Sequence, residues 1–111
     1  MALTFAQLFT PVQLPAAAAV LFTLNVANGV LKNGRVRLTN TSAGAVTVTL
    51  YMAAAASPSA AATSCLNAKS IAMNDYLDID IPTMANGDTL RGFASAATSI
   101  TMHEIGGVIY S

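Results

Sequence analysis

Two carboxylates at alternate positions are the clearest candidates for chemistry in this sequence. Asp78 and Asp80 alternate with the apolar residues Leu77, Ile79 and Ile81. Because alternate side chains of a β-strand share one face, both carboxylates are expected on the polar face of a strand. Such a pair could bind a hard cation such as calcium. It could also act as the acid and base of a small hydrolase if a pocket separated the two pKa values. Solvation or ion pairing is the favoured alternative.

Arg35 and Arg37 repeat the same spacing with positive charge. On one face of a strand, they either face solvent or pair with Asp78 and Asp80, across strands of one subunit or between subunits. Both arginines are therefore predicted interface residues.

The other reactive side chains predict no catalysis. His103 is the only histidine, and its neighbour Glu104 falls on the opposite face of a strand. Cys65 is the only cysteine, which excludes an intrachain disulfide and fits assembly in a reducing cytosol. Without a basic partner nearby in the sequence, Cys65 is expected to be a buried, inert thiol. We expect a non-enzymatic protein with no catalytic residue and no cofactor.

Charge is scarce along the whole chain. The 111 residues suit one domain, residues 1–111. Only 9% of them are charged, against about 25% in typical proteins, and residues 1–31 and 38–68 contain no Asp, Glu, Lys or Arg. Much of the surface is therefore expected to contact other protein. Zero net charge argues against nucleic-acid binding, and polar residues interrupt both uncharged stretches, which argues against a membrane helix.

Apolar alternation and turn residues predict eight short strands. This number and spacing indicate an all-β fold, a single-domain antiparallel β-sandwich or jelly roll. Gly106 and Gly107 within the last strand predict a bulge or a close backbone approach. The Ala/Ser-rich residues 53–64 are expected to form a loop, with one helical turn as the alternative. The predicted strands are residues 3–9, 19–26, 35–40, 45–53, 67–72, 76–81, 89–96 and 99–110.

The strongest sheet signal is a hairpin-like run over residues 35–52. Its two arms alternate apolar with polar side chains, and Asn40, Ser42 and Gly44 between them favour a chain reversal. The apolar positions on the two arms are Val36, Leu38, Val46, Val48, Leu50 and Met52.

Three segments resemble small β-rich virion proteins of tailed bacteriophages: residues 35–51, residues 87–91 with 94–96, and residues 107–110. The resemblance implies a structural role in the particle, such as a capsid decoration or cement protein that binds the major capsid protein or other virion proteins. It implies a homo-oligomer, with a trimer favoured, located in the virion and assembled in the host cytoplasm. Tail and head-fibre components share the same style of sequence, so the resemblance does not separate a head location from a tail or head-fibre location.

The N-terminal residues 1–14 are predicted to form an extended intersubunit arm. Such an arm can add a strand to the exposed sheet edge of a neighbour with little demand on sequence. The predicted interface residues of this arm are Leu3, Phe5, Leu8, Phe9 and Val12. A carbohydrate or receptor-binding module is the alternative function, since jelly rolls also serve as lectins, although the chain has no Trp and few Tyr.

Overall fold

The computed structural model describes residues 3–4, 10–53 and 64–111, and of residues 3–4 it describes the strand pairing alone. The described residues form ten strands and no helix, so the prediction of an all-β fold is confirmed. The strands are β1 (Leu3–Thr4), β2 (Val12–Gln13), β3 (Ala19–Thr23), β4 (Val30–Asn40), β5 (Val46–Ala53), β6 (Ser64–Ile71), β7 (Tyr76–Asp80), β8 (Met84–Ala85), β9 (Thr89–Ala94) and β10 (Ile100–Tyr110).

The strands form two antiparallel sheets that enclose one core. Sheet A has the order β1-β10-β4-β7, with β2 also paired with β10 and β8 also paired with β4. Sheet B has the order β3-β9-β5-β6. The strands of each sheet are therefore drawn from the whole length of the chain.

The strand pairings are nested, which defines the topology. β1 and β2 pair with β10, β3 with β9, β4 with β7 and β8, and β5 with β6. Counting β1 with β2, and β7 with β8, as single interrupted strands gives eight strands, of which the first pairs with the last and the fourth with the fifth. Two further pairs, β10 with β4 and β9 with β5, join the nested pairs into the two sheets. This arrangement is the jelly-roll form of the β-sandwich.

Alternation along the strands fills the space between the sheets. Val36 and Leu38 of sheet A and Val48 and Leu50 of sheet B have no exposed surface, and they belong to one cluster of buried apolar residues. Removal of this apolar surface from water is the main favourable contribution to folding. The side chains between these positions lie on the two outer faces, which are the surfaces available for function.

The hairpin predicted over residues 35–52 is wrong in its pairing, although its apolar pattern is confirmed. β4 lies in sheet A and β5 in sheet B, so the turn after Asn40 crosses between sheets. The buried Asn40 amide donates to the carbonyls of Gly44 and Ile71, each at 2.9 Å. Its Oδ1 accepts from Ser42 N at 2.9 Å and Ser42 Oγ at 2.7 Å. These bonds satisfy polar groups that are costly to bury unpaired.

A bulge interrupts β10 where the two consecutive glycines occur. The register with β4 shifts on both sides of Gly106, and Gly107 has a φ of 144°, a backbone conformation that residues with a side chain rarely adopt. The predicted bulge is confirmed.

Each of the eight predicted strands overlaps an observed one. β4 begins five residues earlier than predicted, at Val30. β2 and β8 are two residues long and were not predicted, because so short a segment has no periodicity. The predicted loop falls mostly on residues 54–63, which lie outside the described residues.

Candidate functional site

The charged side chains singled out in the sequence meet on the outer face of sheet A. β4 and β7 pair so that Arg35 is opposite Asp80 and Arg37 is opposite Asp78. Val36, which lies between the two arginines in β4, is buried in the core. Strand alternation and the pairing with β7 therefore place all four charges on the outer face. Of the two alternatives left open by the sequence, solvation and ion pairing, the structure shows ion pairing within one subunit. We call this surface the charged face.

Arg37 and Asp78 form the tighter of the two ion pairs. Arg37 Nε donates to Asp78 Oδ1 at 2.7 Å and Nη2 donates to Oδ2 at 3.0 Å, the two-bond geometry that favours Arg over Lys. The Arg37 guanidinium also lies 4.3 Å from the centre of the Tyr76 ring, a cation–π contact. The hydrogen bond from Arg37 lowers the pKa of Asp78.

Arg35 and Asp80 make a looser pair with one hydrogen bond, from Arg35 Nε to Asp80 Oδ1 at 2.9 Å. The Asp80 side chain is 83% exposed, against 23% for Asp78, so water screens this pair more strongly. Both carboxylates considered as metal ligands therefore face a guanidinium. No group of three His, Cys, Asp or Glu among the described residues is arranged to hold a metal ion.

Among the described residues, neither His103 nor Cys65 has a neighbour that would activate it. His103 of β10 is opposite Arg37 of β4. A catalytic histidine is usually oriented by a carboxylate, and the Arg37 guanidinium carries the opposite charge. Cys65 donates its thiol to the carbonyl of Leu50 at 3.6 Å. Burial raises the pKa of Cys65, which disfavours the reactive thiolate.

The predicted arm lies only partly within the described residues. Leu3 pairs with Tyr110 of the same chain, while its side chain and the residues Phe5, Leu8 and Phe9 are outside the described part. Val12 pairs with Met102 and packs against the core. The described parts of residues 1–14 thus form edge strands of their own sheet, and exchange with a neighbour stays a prediction.

The outer face of sheet B has a different composition. Tyr51 is opposite Arg91, and Thr49 is opposite Phe93, while Val20 is opposite Arg91 on its other side. The Tyr51 and Phe93 rings stack diagonally across the two strands, with centroids 6.3 Å apart and an angle of 28° between planes. Arg91 Nε donates to Thr89 Oγ1 at 2.9 Å. We call this surface the charge-poor face; its accessible residues are Val20, Thr47, Tyr51, Arg91 and Phe93, while Thr49 and Thr89 lie on the same side of the sheet but are buried.

The ten charged residues of the chain are segregated between the sheets. Two of them, Asp75 and Asp88, lie in turns, and sheet B holds only Lys69 and Arg91. The strands of sheet A hold Lys32, Arg35, Arg37, Asp78, Asp80 and Glu104. Sheet A therefore holds most of the charge, including two ion pairs, and sheet B is almost free of charge.

The residues of the charge-poor face were not singled out from the sequence. The alternation of Thr47, Thr49 and Tyr51 along one strand, and of Arg91 and Phe93 along another, was the available signal. It could predict that each set shares a face, but not that β5 and β9 are neighbours.

The geometry defines an antiparallel jelly roll with one charged and one charge-poor outer face. Comparisons with protein-family models, curated proteins and solved structures give no match to this chain. The described residues include no helix that is long and apolar enough to cross a membrane.

Proposed function

We propose that this chain is a non-enzymatic structural subunit of a tailed-phage particle, a capsid decoration or cement protein that binds neighbouring coat subunits. The segregation of charge between the two faces carries the proposal. The charged face is suited to water, and the charge-poor face is suited to contact with coat protein. The resemblance of residues 35–51 and 107–110 to phage virion proteins supplies the biological setting, the virion assembled in the host cytoplasm.

The chemistry of the charge-poor face supports a role in protein contact. Interface centres are enriched in Tyr, Phe and Arg and depleted in Lys, Glu and Asp. Tyr51, Phe93 and Arg91, each partly exposed, lie together here. The hydroxyl of the exposed Thr47, in the same strand as Tyr51, is cheaper to desolvate than an ionised group. The molecule measures 45 × 27 × 17 Å. Its broad face is therefore larger than the roughly 800 Å² that each partner buries in a standard complex.

A charge placed on the charge-poor face tests the proposal. Thr47 and Gln13 are both exposed strand residues, Thr47 on the outer face of sheet B and Gln13 on that of sheet A. Thr47→Glu would bury an unpaired carboxylate in the contact, so we expect binding to particles that lack this protein to weaken at least tenfold, about 1.4 kcal/mol. Gln13→Glu adds the same charge to the charged face and should bind like the wild type.

Binding would be measured by co-sedimentation with particles assembled after deletion of the gene. Cryo-electron microscopy of the decorated particles would then separate a head location from a tail or head-fibre location. If the wild-type chain did not bind such particles and was absent from intact ones, the proposal would be overturned.

Carbohydrate or receptor binding is the second candidate. The stacked Tyr51 and Phe93 rings beside Arg91 favour it, since sugar sites combine aromatic faces with polar groups. A saturable signal on a glycan array that is lost in Tyr51→Ala would favour this function. An array without signal would favour the structural role.

A further inference from the structure

Asparagine is followed by glycine at three places in the sequence: Asn28-Gly29, Asn33-Gly34 and Asn86-Gly87. All three asparagines are exposed. An asparagine in this context can lose its side-chain amide without an enzyme, because the next backbone nitrogen can reach its Cγ and glycine has no Cβ to hinder the approach. The three places differ in what holds the attacking nitrogen and in the charges beside it.

In two of the three places, a backbone hydrogen bond holds the glycine nitrogen. Gly29 N donates to the carbonyl of Val26 at 2.8 Å, and Gly87 N donates to the carbonyl of Leu24 at 2.8 Å. An amide nitrogen that donates to a carbonyl must give up this bond before it can attack Cγ. Both turns are therefore protected against the reaction.

Asn33 and Gly34 lie where the pairing of β4 is interrupted. No residue of a described strand is opposite either of them, although the residues of β4 on both sides are paired. Ile81 N donates to the carbonyl of Gly34 at 2.7 Å. The return bond from Gly34 N to the carbonyl of Ile81, which completes such a pair in a regular antiparallel ladder, is not formed. The protection found in the two turns is therefore missing on this side of β4.

The charges beside the three places also differ. Lys32 and Arg35 lie within two residues of Asn33, whereas Asn28 lies in an uncharged part of the chain and Asp88 closely follows the third asparagine. The attack forms an anion and the final product is a carboxylate. Nearby cations therefore favour the reaction at Asn33, and the Asp88 carboxylate disfavours it at the third place.

From these two differences we infer that Asn33 is a self-modification site, at which the chain loses a side-chain amide. The Gly34 nitrogen gives its proton to solvent base and bonds to Cγ of Asn33. The bond from Cγ to the side-chain nitrogen breaks, and that nitrogen leaves as ammonia with a proton from solvent. Water then opens the resulting cyclic imide at one of its two carbonyls, which leaves an aspartate or an isoaspartate at position 33. Water is the one co-reactant, and nothing is oxidised or reduced.

Either product changes the charge of sheet A. The formal net charge of the chain falls from zero by one, and the new carboxylate lies two residues from Arg35, whose ion pair with Asp80 is exposed. An isoaspartate also adds one carbon to the backbone, at a position where the ladder is already interrupted. The residues of the charge-poor face are unchanged, so the inference does not depend on the proposed function.

Peptide mapping by mass spectrometry, after incubation of the folded chain at mildly alkaline pH, measures the three rates separately. We expect Asn33 to react about tenfold faster than Asn28 or Asn86, which corresponds to about 1.4 kcal/mol in the barrier. In guanidinium chloride the backbone bonds are lost and the charges are screened, so the three rates should converge. Reaction at Asn28 or Asn86 as fast as at Asn33 in the folded chain, or the same tenfold preference in denaturant, would overturn the inference.

Asn33→Gly and Asn28→Gly are matched variants for a second test. Asn33 and Asn28 have φ values of 57° and 56°, and glycine adopts this conformation without strain. Ion-exchange chromatography should show a more acidic form that accumulates in the wild type and in Asn28→Gly but not in Asn33→Gly. Accumulation at the wild-type rate in a folded Asn33→Gly would contradict the assignment.

Discussion

At the scale of single residues, Arg37 shows how one side chain specifies strand register. Its guanidinium holds Asp78 by two hydrogen bonds and lies over the Tyr76 ring, and both partners belong to β7. A shift of one residue between β4 and β7 would move the two aspartates to the core face. The Arg35–Asp80 pair favours the same register.

The pH dependence of stability should reveal the Arg37–Asp78 pair. The hydrogen bond from Arg37 lowers the pKa of Asp78 in the folded protein, so the unfolded state binds the proton more readily. The stability from this pair is therefore complete above the unfolded pKa, near 3.9, and is lost as the pH falls through the folded pKa. We expect Asp78→Asn to unfold a few degrees below the wild type at pH 7, with the difference shrinking below about pH 4.

Thermal unfolding from pH 7 to pH 2 measures this difference, with Asp80→Asn as the control. Asp80 is the more exposed partner of a single hydrogen bond, so its replacement should have the smaller effect. A gap between Asp78→Asn and the wild type that stayed constant to pH 2 would contradict the assignment.

The grouping of the charges by face could be predicted from the sequence because the period of a strand is fixed by backbone geometry, whereas their pairing depended on β4 and β7 being neighbours. Arg35 with Arg37, and Asp78 with Asp80, each had to share a face. The cation–π contact of Arg37 with Tyr76 was not predicted, because it depends on the distance between two side chains across the sheet.

At the scale of elements, β4 and β5 show where a local pattern stops being informative. The two strands of a hairpin and two strands of opposite sheets both direct alternate apolar residues towards a core. The alternation over residues 35–52 is therefore the same for either arrangement. One contact that fixes this crossing between sheets is the bond from the Asn40 amide to the Ile71 carbonyl. Ile71 is 31 residues away along the chain, beyond the reach of a local pattern.

The close approach of β5 and β9 gives a prediction for Gly92. A Cβ on Gly92 would lie 2.6 Å from Leu50 Cδ2 and 2.6 Å from the carbonyl oxygen of Thr49. The Leu50 side chain can move, but the Thr49 backbone is fixed in the ladder. We expect Gly92→Ala to lower the free energy of unfolding by about 1–3 kcal/mol.

Gly44→Ala is the matched control for Gly92→Ala, because a Cβ on Gly44 would have no neighbour within 4 Å. Its effect should stay within about 0.5 kcal/mol. Urea unfolding of both variants gives the comparison, and equal stabilities would show that β9 can move away from β5.

At the scale of the whole molecule, nesting makes most contacts distant in sequence. Leu3 pairs with Tyr110, and the next pair inward joins β3 to β9. The approximate positions of eight of the ten strands could be predicted from alternation and turns. Their pairing order could not, since alternation identifies a strand but not the strand beside it.

Slow cooperative folding should follow from this topology. Proteins dominated by non-local strand pairs fold in milliseconds to seconds, because loop closure costs entropy before contacts compensate for it. Variants with a single tyrosine, Tyr51 in sheet B or Tyr76 in sheet A, would report on each sheet by stopped-flow fluorescence. We expect one rate from both probes in this range, and submillisecond folding or separate rates would contradict it.

The pairing of β1 with the end of β10 also has a mechanical consequence. Leu3 is opposite Tyr110 and Thr4 is opposite Ile109, so a load applied between Leu3 and Tyr110 would pull the two strands apart at right angles to their length. Their hydrogen bonds would then break one after another, as in unzipping, and not all together, as in shear. The molecule should therefore yield easily when pulled by these two residues, and a load-bearing attachment would be stronger through its broad sheet faces.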